Sequence, residues 1–231
     1  MKSLVFVAVV AGAIALTGCR KHRAHAPADA FSSATTLRVP RAASAIDLNG
    51  ELSEASWIDG SARTPPFAAE DGAPARPYSD ARLLWGDGFL YLALYAADED
   101  IRAALAEHDA PIWTEDSFHV AFARRNKLFS IEVSPIGTTT DFVQGSDGKL
   151  EFGWQSLARV GHDLDGKPND ASDDDEEWVI ELAIPLSSLG LRGVRGERVG
   201  FSVHRCDTPK SGVRVCASFG EGGRKIAIEL Q

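Results

Sequence analysis

Residues 178–185 read WVIELAIP, and this stretch decides the fold class of the 231-residue chain. Strongly apolar residues occupy every second position from Trp178 to Ile184, and Pro185 ends the run. A period of two places successive side chains on opposite faces of a β-strand, so the stretch predicts a strand with one buried face. Proline lacks the N–H that a strand partner needs, which explains where the strand ends.

The same alternation recurs outward along the chain, at 118–122 and 129–133. Residues 89–95 are apolar on both faces and predict a central strand, paired with 82–85 across the turn Gly86-Asp87-Gly88. Many short strands separated by turns predict an all-β fold, namely a two-sheet antiparallel jelly-roll-like sandwich of about ten strands.

Helical signals are few, and the pattern predicts one or two short helices. The stronger signal runs from Asp100 to His108, with Asp98 or Asp100 as the N-cap and two apolar residues on one side. A shorter turn of helix is predicted at 53–57.

Composition narrows the function classes. The chain has 24 Lys and Arg against 33 Asp and Glu, a formal charge of −9, and no long basic run. Such a chain is a poor nucleic-acid binder, so no nucleic-acid partner is expected. With 44% hydrophobic residues and 21 glycines, it is neither a coiled coil nor a polytopic membrane protein.

The N-terminus predicts export and a lipid anchor. One cation, Lys2, precedes an apolar run from Leu4 to Leu16, which is too short to cross a bilayer but typical of a signal peptide. The run leads into Leu-Thr-Gly before Cys19 and resembles a bacterial lipobox, which implies a signal peptide at 1–18, lipidation of Cys19 and membrane attachment. A plain signal peptide with a chance cysteine is the alternative.

Residues 19–36 have no periodic apolar pattern and predict a flexible tether, followed by one domain at 37–231. Arg20 stands where an aspartate retains lipoproteins at the inner membrane, so the expected location is the outer membrane of the bacterial cell envelope. Cys206 and Cys216 lie in strand-like segments that flank the turn residues 207–212. A hairpin would bring them face to face, and an oxidising compartment favours a disulfide between them.

Several phrases in order resemble carbohydrate-binding module family 9, whose domains are DOMON-like jelly-roll β-sandwiches that bind sugars and often calcium. The phrases are IDLNGEL at 46–52, LWGDGFLYLA at 84–93, IWTEDSF at 112–118, EVSPIG at 132–137 and WVIELAIP at 178–185. The resemblance covers about 37–231. It implies the same fold and a poly- or oligosaccharide as ligand.

In that family two tryptophans hold the sugar. Trp113 stands where one of them belongs, whereas 208–218 contains no counterpart of the second. His119 and Glu132 replace a sugar-contacting glutamate and arginine. Trp113 also qualifies on its chemistry, because a flat aromatic ring beside polar groups suits the apolar C–H face of a pyranose. The predicted sugar site is Trp113, His119, Glu132 and Glu181; Trp57, Trp85, Trp154 and Trp178 are predicted to pack in the core or on the sheets.

The resemblance also raises the question of calcium, a cation that takes six to eight oxygen ligands. Asp98 and Asp116 match family positions near loops and are the candidate ligands, although aspartates there also cap backbone N–H groups. The acidic run at 163–177 predicts a solvated turn. No other cofactor is expected.

Four functions fit these features to different degrees. The leading one is a non-catalytic, envelope-anchored carbohydrate-binding module with a role in carbohydrate catabolism. The main alternative is a scaffold or interaction lipoprotein that kept the fold and lost the sugar. A glycoside hydrolase would need a carboxylate pair and a cleft, and the chain offers no second domain to supply one. A haem protein is disfavoured because the chain has no C-x-x-C-H and no methionine but Met1.

Overall fold

Alternating strands build two stacked sheets in the computed structural model, which describes residues 35–220 and 226–231. The predicted leader, Cys19 and the tether up to residue 34 lie outside the described residues. The elements are β1 Thr36–Val39, α1 Ala55–Asp59, β2 Ala62–Arg63, β3 Ser79–Gly86, β4 Phe89–Ala97, a 3₁₀ helix Ile112–Thr114, β5 Ser117–Arg124, β6 Lys127–Val133, β7 Thr139–Gln144, β8 Leu150–Glu151, β9 Arg159–Asp165, β10 Glu177–Pro185, β11 Arg198–Asp207, β12 Val215–Phe219 and β13 Ile226–Leu230.

The larger sheet has eight strands in the order β1-β13-β11-β5-β6-β7-β8, with β12 also paired to β11. The smaller sheet has five, in the order β2-β3-β4-β10-β9. Every pairing is antiparallel except that of β1 with β13. The predicted all-β sandwich with short helices is confirmed; strand makes up 44% and helix 4% of the described residues.

The WVIELAIP stretch forms β10 and lies in the middle of the smaller sheet, between β4 and β9. Its alternate residues from Trp178 to Ile184 are fully buried against the larger sheet, where Trp178 packs on Phe118 with ring centroids 4.8 Å apart. The predicted hairpin of 82–85 with 89–95 is also present. Its two-residue turn needs positive φ at Asp87 and Gly88, a conformation that glycine adopts without strain.

The other face of the smaller sheet is covered by residues 42–57, which include the beginning of α1. Trp57, Leu84, Tyr91 and Ala93 form a second apolar cluster there. This cover explains why β4 is apolar on both faces. All four tryptophans assigned to the core pack as predicted: Trp57, Trp85 and Trp178 are buried, and Trp154 is half-buried against Phe129.

The prediction of a helix from Asp100 to His108 is wrong. The structure has irregular backbone there, because the N–H groups from Ile101 to Leu105 donate to side-chain oxygens and not to one another. Their acceptors are Asp175, Asp116, Asn169 and Glu115. These tertiary bonds outweigh a weak local helix propensity. The other predicted helix is present, at 55–59.

Within the described ranges, no helix is both long and apolar enough to span a bilayer.

Candidate functional site

Trp113 projects from the 3₁₀ helix that precedes β5. Its neighbour Ile112 is fully buried and anchors the helix, while 45% of the Trp113 surface remains exposed. The Arg214 guanidinium donates to the main-chain oxygens of Trp113, at 2.9 Å, and Glu115, at 2.8 Å. Contacts of its backbone therefore hold Trp113 at the surface, and a little under half of the residue is available to a ligand.

His119 and Glu132 lie beside this helix on the outer face of the larger sheet. They occupy directly paired positions of β5 and β6, and the 3₁₀ helix contacts both strands. The His119 ring is half-buried and stacks on Phe142 of β7, with centroids 5.8 Å apart. The structure thus brings three of the four predicted sugar-site residues to one face.

Burial changes the acid chemistry of Glu132. Only 8% of its surface is exposed, and burial raises the pKa of its carboxyl to about 8, against the opposing influence of Arg214 and a hydrogen bond with Ser117. A carboxyl with this pKa is mostly protonated at neutral pH, so it both donates and accepts hydrogen bonds. Sugar hydroxyls have the same dual character.

Glu181 is not part of this group, contrary to the prediction. It lies on β10 in the smaller sheet, fully buried under residues 49–57. Its carboxylate accepts hydrogen bonds from Trp57 Nε1 at 2.7 Å and from the N–H groups of Asn49 and Gly50 at 2.9 and 2.7 Å. Glu181 therefore fastens the N-terminal segment to the sheet. Alternation correctly placed it opposite the core face, but which sheet it joins depends on topology.

No family model matches the chain, and no curated protein matches its sequence. Solved structures do match. A proposed carbohydrate-binding protein from Bacteroides uniformis has a TM-score of 0.70 at 14% identity, with 86% of this chain and all of that chain covered.

Two further matches are structures of a carbohydrate-binding module family 9 domain from Caldicellulosiruptor kristjanssonii. Its complex with cellotriose has a TM-score of 0.61 at 16% identity, covering 85% of this chain and 94% of that one. Its complex with glucose has a TM-score of 0.58 at 16% identity, covering 84% and 95%. This protein has a family 9-like fold. The predicted fold resemblance is confirmed.

Family 9 domains raised the expectation of calcium at Asp98 and Asp116, and the structure places both in one buried cluster with Asp207. The donor set does not fit the ion. Both oxygens of Asp116 accept backbone N–H groups, from Arg102 at 2.7 Å and Thr208 at 2.8 Å. Asp98 accepts from the indole of Trp178 at 2.9 Å and the Asp100 N–H at 3.0 Å.

The cation in this cluster is Arg205. Its guanidinium donates to Asp98 at 2.9 Å and to Asp207 at 3.3 Å. Burial raises the pKa of Asp116 and of Asp207 to about 7. Among the cluster's carboxylate oxygens, just Oδ2 of Asp207 has no hydrogen-bond partner in the described structure. Calcium wants six to eight oxygens, so these aspartates cap loops and balance Arg205 instead.

The predicted disulfide is present in this family 9-like fold. Cys206 and Cys216 are bonded to each other from directly paired positions of β11 and β12. His204 lies two residues before Cys206, with its Nε2 2.9 Å from that sulfur. The acidic run at 163–177 is largely a solvated turn, as predicted, except that Asp175 is buried and caps Ile101 and Lys167.

Sequence reasoning missed three residues of the outer face, namely Phe142, Phe152 and Arg214. Phe142 and Phe152 lie in or beside short, weakly alternating strands at the sheet edge, β7 and β8. The alternation Thr140, Phe142, Gln144 was the signal that would have found the first of them. Arg214 carried no local signal, because its role depends on a contact with residues about a hundred positions away.

Proposed function

We propose that this protein is a non-catalytic carbohydrate-binding module that binds a poly- or oligosaccharide on the outer face of its larger sheet. The observation that carries the proposal is the half-exposed indole of Trp113 beside the polar pair His119 and Glu132. The fold supports it, because the matched structures include family 9 modules bound to cellotriose and to glucose. A single-platform site has micromolar to millimolar affinity, about −8 to −4 kcal/mol.

Replacing Trp113 with alanine tests the site. The protein is first screened for retention on a panel of neutral polysaccharides. We expect the variant's affinity for the retained polysaccharide to fall at least tenfold, which is about 1.4 kcal/mol of binding free energy. The matched control is Ile58→Ala, which removes a 64% exposed apolar side chain from α1, beside the smaller sheet. Isothermal titration with the retained glycan measures the change, and circular dichroism checks folding.

Unchanged glycan affinity in W113A would contradict the proposed site. Failure of the wild type to bind any member of the panel would contradict the function itself. That second outcome would favour an interaction protein that kept the fold without sugar, an alternative supported by the lack of tryptophan in 208–218. Steady turnover of aryl glycosides, abolished by one carboxylate substitution, would instead identify a hydrolase.

The protein is also proposed to be exported and held in the bacterial envelope, at the outer membrane, through a lipid on Cys19. The support is the apolar run at 4–16 that leads into Leu-Thr-Gly-Cys. Such an anchor would present the glycan-binding face at the envelope for carbohydrate catabolism. In cells, Cys19→Ala should move the protein from the membrane fraction to the soluble fraction and abolish incorporation of labelled fatty acid. Equal membrane retention of the variant would contradict the anchor.

A further inference from the structure

A row of aromatic rings crosses the outer face of the larger sheet from its middle to its β8 edge. His119 of β5 stacks on Phe142 of β7, and Phe142 contacts Phe152 with centroids 5.6 Å apart. The register that pairs Val143 with Glu151 places Phe152 opposite Phe142. Phe152 is 46% exposed, nearly the same as Trp113.

The strand positions that face outward along this row carry little charge, although a quarter of the whole chain is charged, and Arg214 lies at the Trp113 end of the row. The outward positions of β5, β6, β7 and β8, all within the described residues, include no lysine, arginine or aspartate and a single glutamate, Glu132. That carboxyl is mostly protonated at neutral pH, since burial raises its pKa to about 8. Outward strand positions with a single, mostly protonated carboxyl, on a protein of net charge −9, are complementary to an uncharged ligand.

Polar side chains accompany the rings, although most of them are buried. Ser130 and Thr140, which face outward from β6 and β7, are fully buried, and the Thr140 hydroxyl donates to the Ala110 main-chain oxygen at 2.6 Å. Gln144, two residues beyond Phe142 on β7, is half-buried and places an amide beside the row. Exposed aromatic faces with an amide at their rim suit the C–H faces and polar rims of sugars.

We infer that this face binds an extended, uncharged oligosaccharide over several sugar units, with Trp113 stacking on one unit and Phe152 on another. The inference rests on the proposed function and deepens it. The second aromatic platform of this protein then lies at the β8 edge, and not in the 208–218 hairpin. The 3₁₀ helix that carries Trp113 contacts β5 and β6, whereas Phe152 follows β8. These strands are two to three strand spacings apart, roughly 10–14 Å, which exceeds the span of one pyranose ring.

The test measures affinity against chain length in W113A, F152A and wild-type protein. The probes are glucose, cellotriose and cellohexaose, with xylo-, manno- and chito-oligosaccharides of matched lengths, and titration calorimetry is the readout. We expect wild-type affinity to rise with length. F152A should lower affinity for the hexasaccharide about tenfold and leave monosaccharide affinity unchanged, whereas W113A should weaken both.

Two controls isolate the ring of Phe152. Phe152→Tyr keeps an aromatic platform and should retain wild-type hexasaccharide affinity. Leu157→Ala removes a 68% exposed apolar side chain outside the row and should change nothing. Thermal unfolding of each variant excludes misfolding as the cause.

The outcomes separate the two proposals. Hexasaccharide affinity that is unchanged in F152A but lost in W113A would overturn the second platform and leave the proposed function intact. Affinity unchanged in both variants, or no binding of any probe by the wild type, would overturn the proposed function. Wild-type affinity independent of chain length, or tighter binding of a uronic-acid oligosaccharide than of neutral ones, would overturn the extended uncharged ligand.

Discussion

Replacing Arg205 with alanine should lower the free energy of unfolding by about 3–5 kcal/mol, the range for breaking a buried ion pair from one side. Arg205 is 2% exposed and lies among Asp98, Asp116 and Asp207, all of them buried. Its removal leaves these carboxylates without a cation and also deletes the hydrogen bond to Ser79 at 3.0 Å. Urea unfolding followed by tryptophan fluorescence measures the loss.

The loss should depend on pH in a defined direction. Burial raises the pKa of Asp207 to about 7, and Arg205 opposes that rise. Without Arg205 the folded protein holds the Asp207 proton to still higher pH, whereas the unfolded chain releases it near the ordinary aspartate value. Stability of R205A therefore increases as pH falls, and the deficit relative to wild type is smaller at pH 5 than at pH 8.

Two variants support this measurement. Arg192→Ala removes an exposed arginine that pairs with Glu197 and should cost at most about 1 kcal/mol. Arg205→Lys keeps the charge and should lose less stability than R205A, which preserves the comparison if R205A does not fold at neutral pH. Equal stability of R205A and R192A would contradict a central role for this guanidinium.

Replacing Glu132 with glutamine should make the protein more stable above pH 8 than the wild type is. Burial raises the pKa of Glu132 to about 8 from its ordinary 4.5, so the folded protein holds a proton that the unfolded chain has released between these values. Wild-type stability therefore falls as pH rises through this window, and the full cost is reached above pH 8. Each pKa unit corresponds to about 1.4 kcal/mol, so the expected gain in E132Q is a few kcal/mol.

Urea unfolding at steps between pH 4.5 and 8.5 measures this difference. The difference should close towards pH 4.5, where Glu132 is uncharged in the folded protein and about half protonated in the unfolded chain. The matched control is Glu151→Gln, on the exposed strand β8, which should follow the wild type at every pH. A stability difference between E132Q and wild type that stays constant across the range would show that Glu132 does not carry a raised pKa.

The local alternation of apolar residues and the turn residues predicted most strands of the sandwich. The alternation in 178–185 and the turn at 86–88 gave correct strands because side-chain period and turn chemistry are properties of a few neighbouring residues. The region from Asp100 to His108 shows where such signals fail. Its N–H groups bond to Asp116, Glu115, Asn169 and Asp175, which no short window contains.

The candidate site was only partly predictable, because some of its residues are marked by their local sequence and others are placed by the topology. Trp113 was identifiable as a surface aromatic because it follows Pro111 in a loop, whereas the other tryptophans lie at core positions or pack on the sheets. Glu181 has the same alternating context as Glu132, yet the two lie on different sheets. The sequence contains no local difference that separates them.

The sequence by itself determined the all-β class, the positions of the main strands, the Cys206–Cys216 pairing and the exposure of Trp113, since each depends on residues close together in the chain. Only the tertiary structure decided that His119 faces Glu132, that Phe152 extends the aromatic row and that Arg205 neutralises Asp98. Those contacts join strands and loops far apart in sequence, and the order of strands in the sheets, not any local preference, sets which side chains meet.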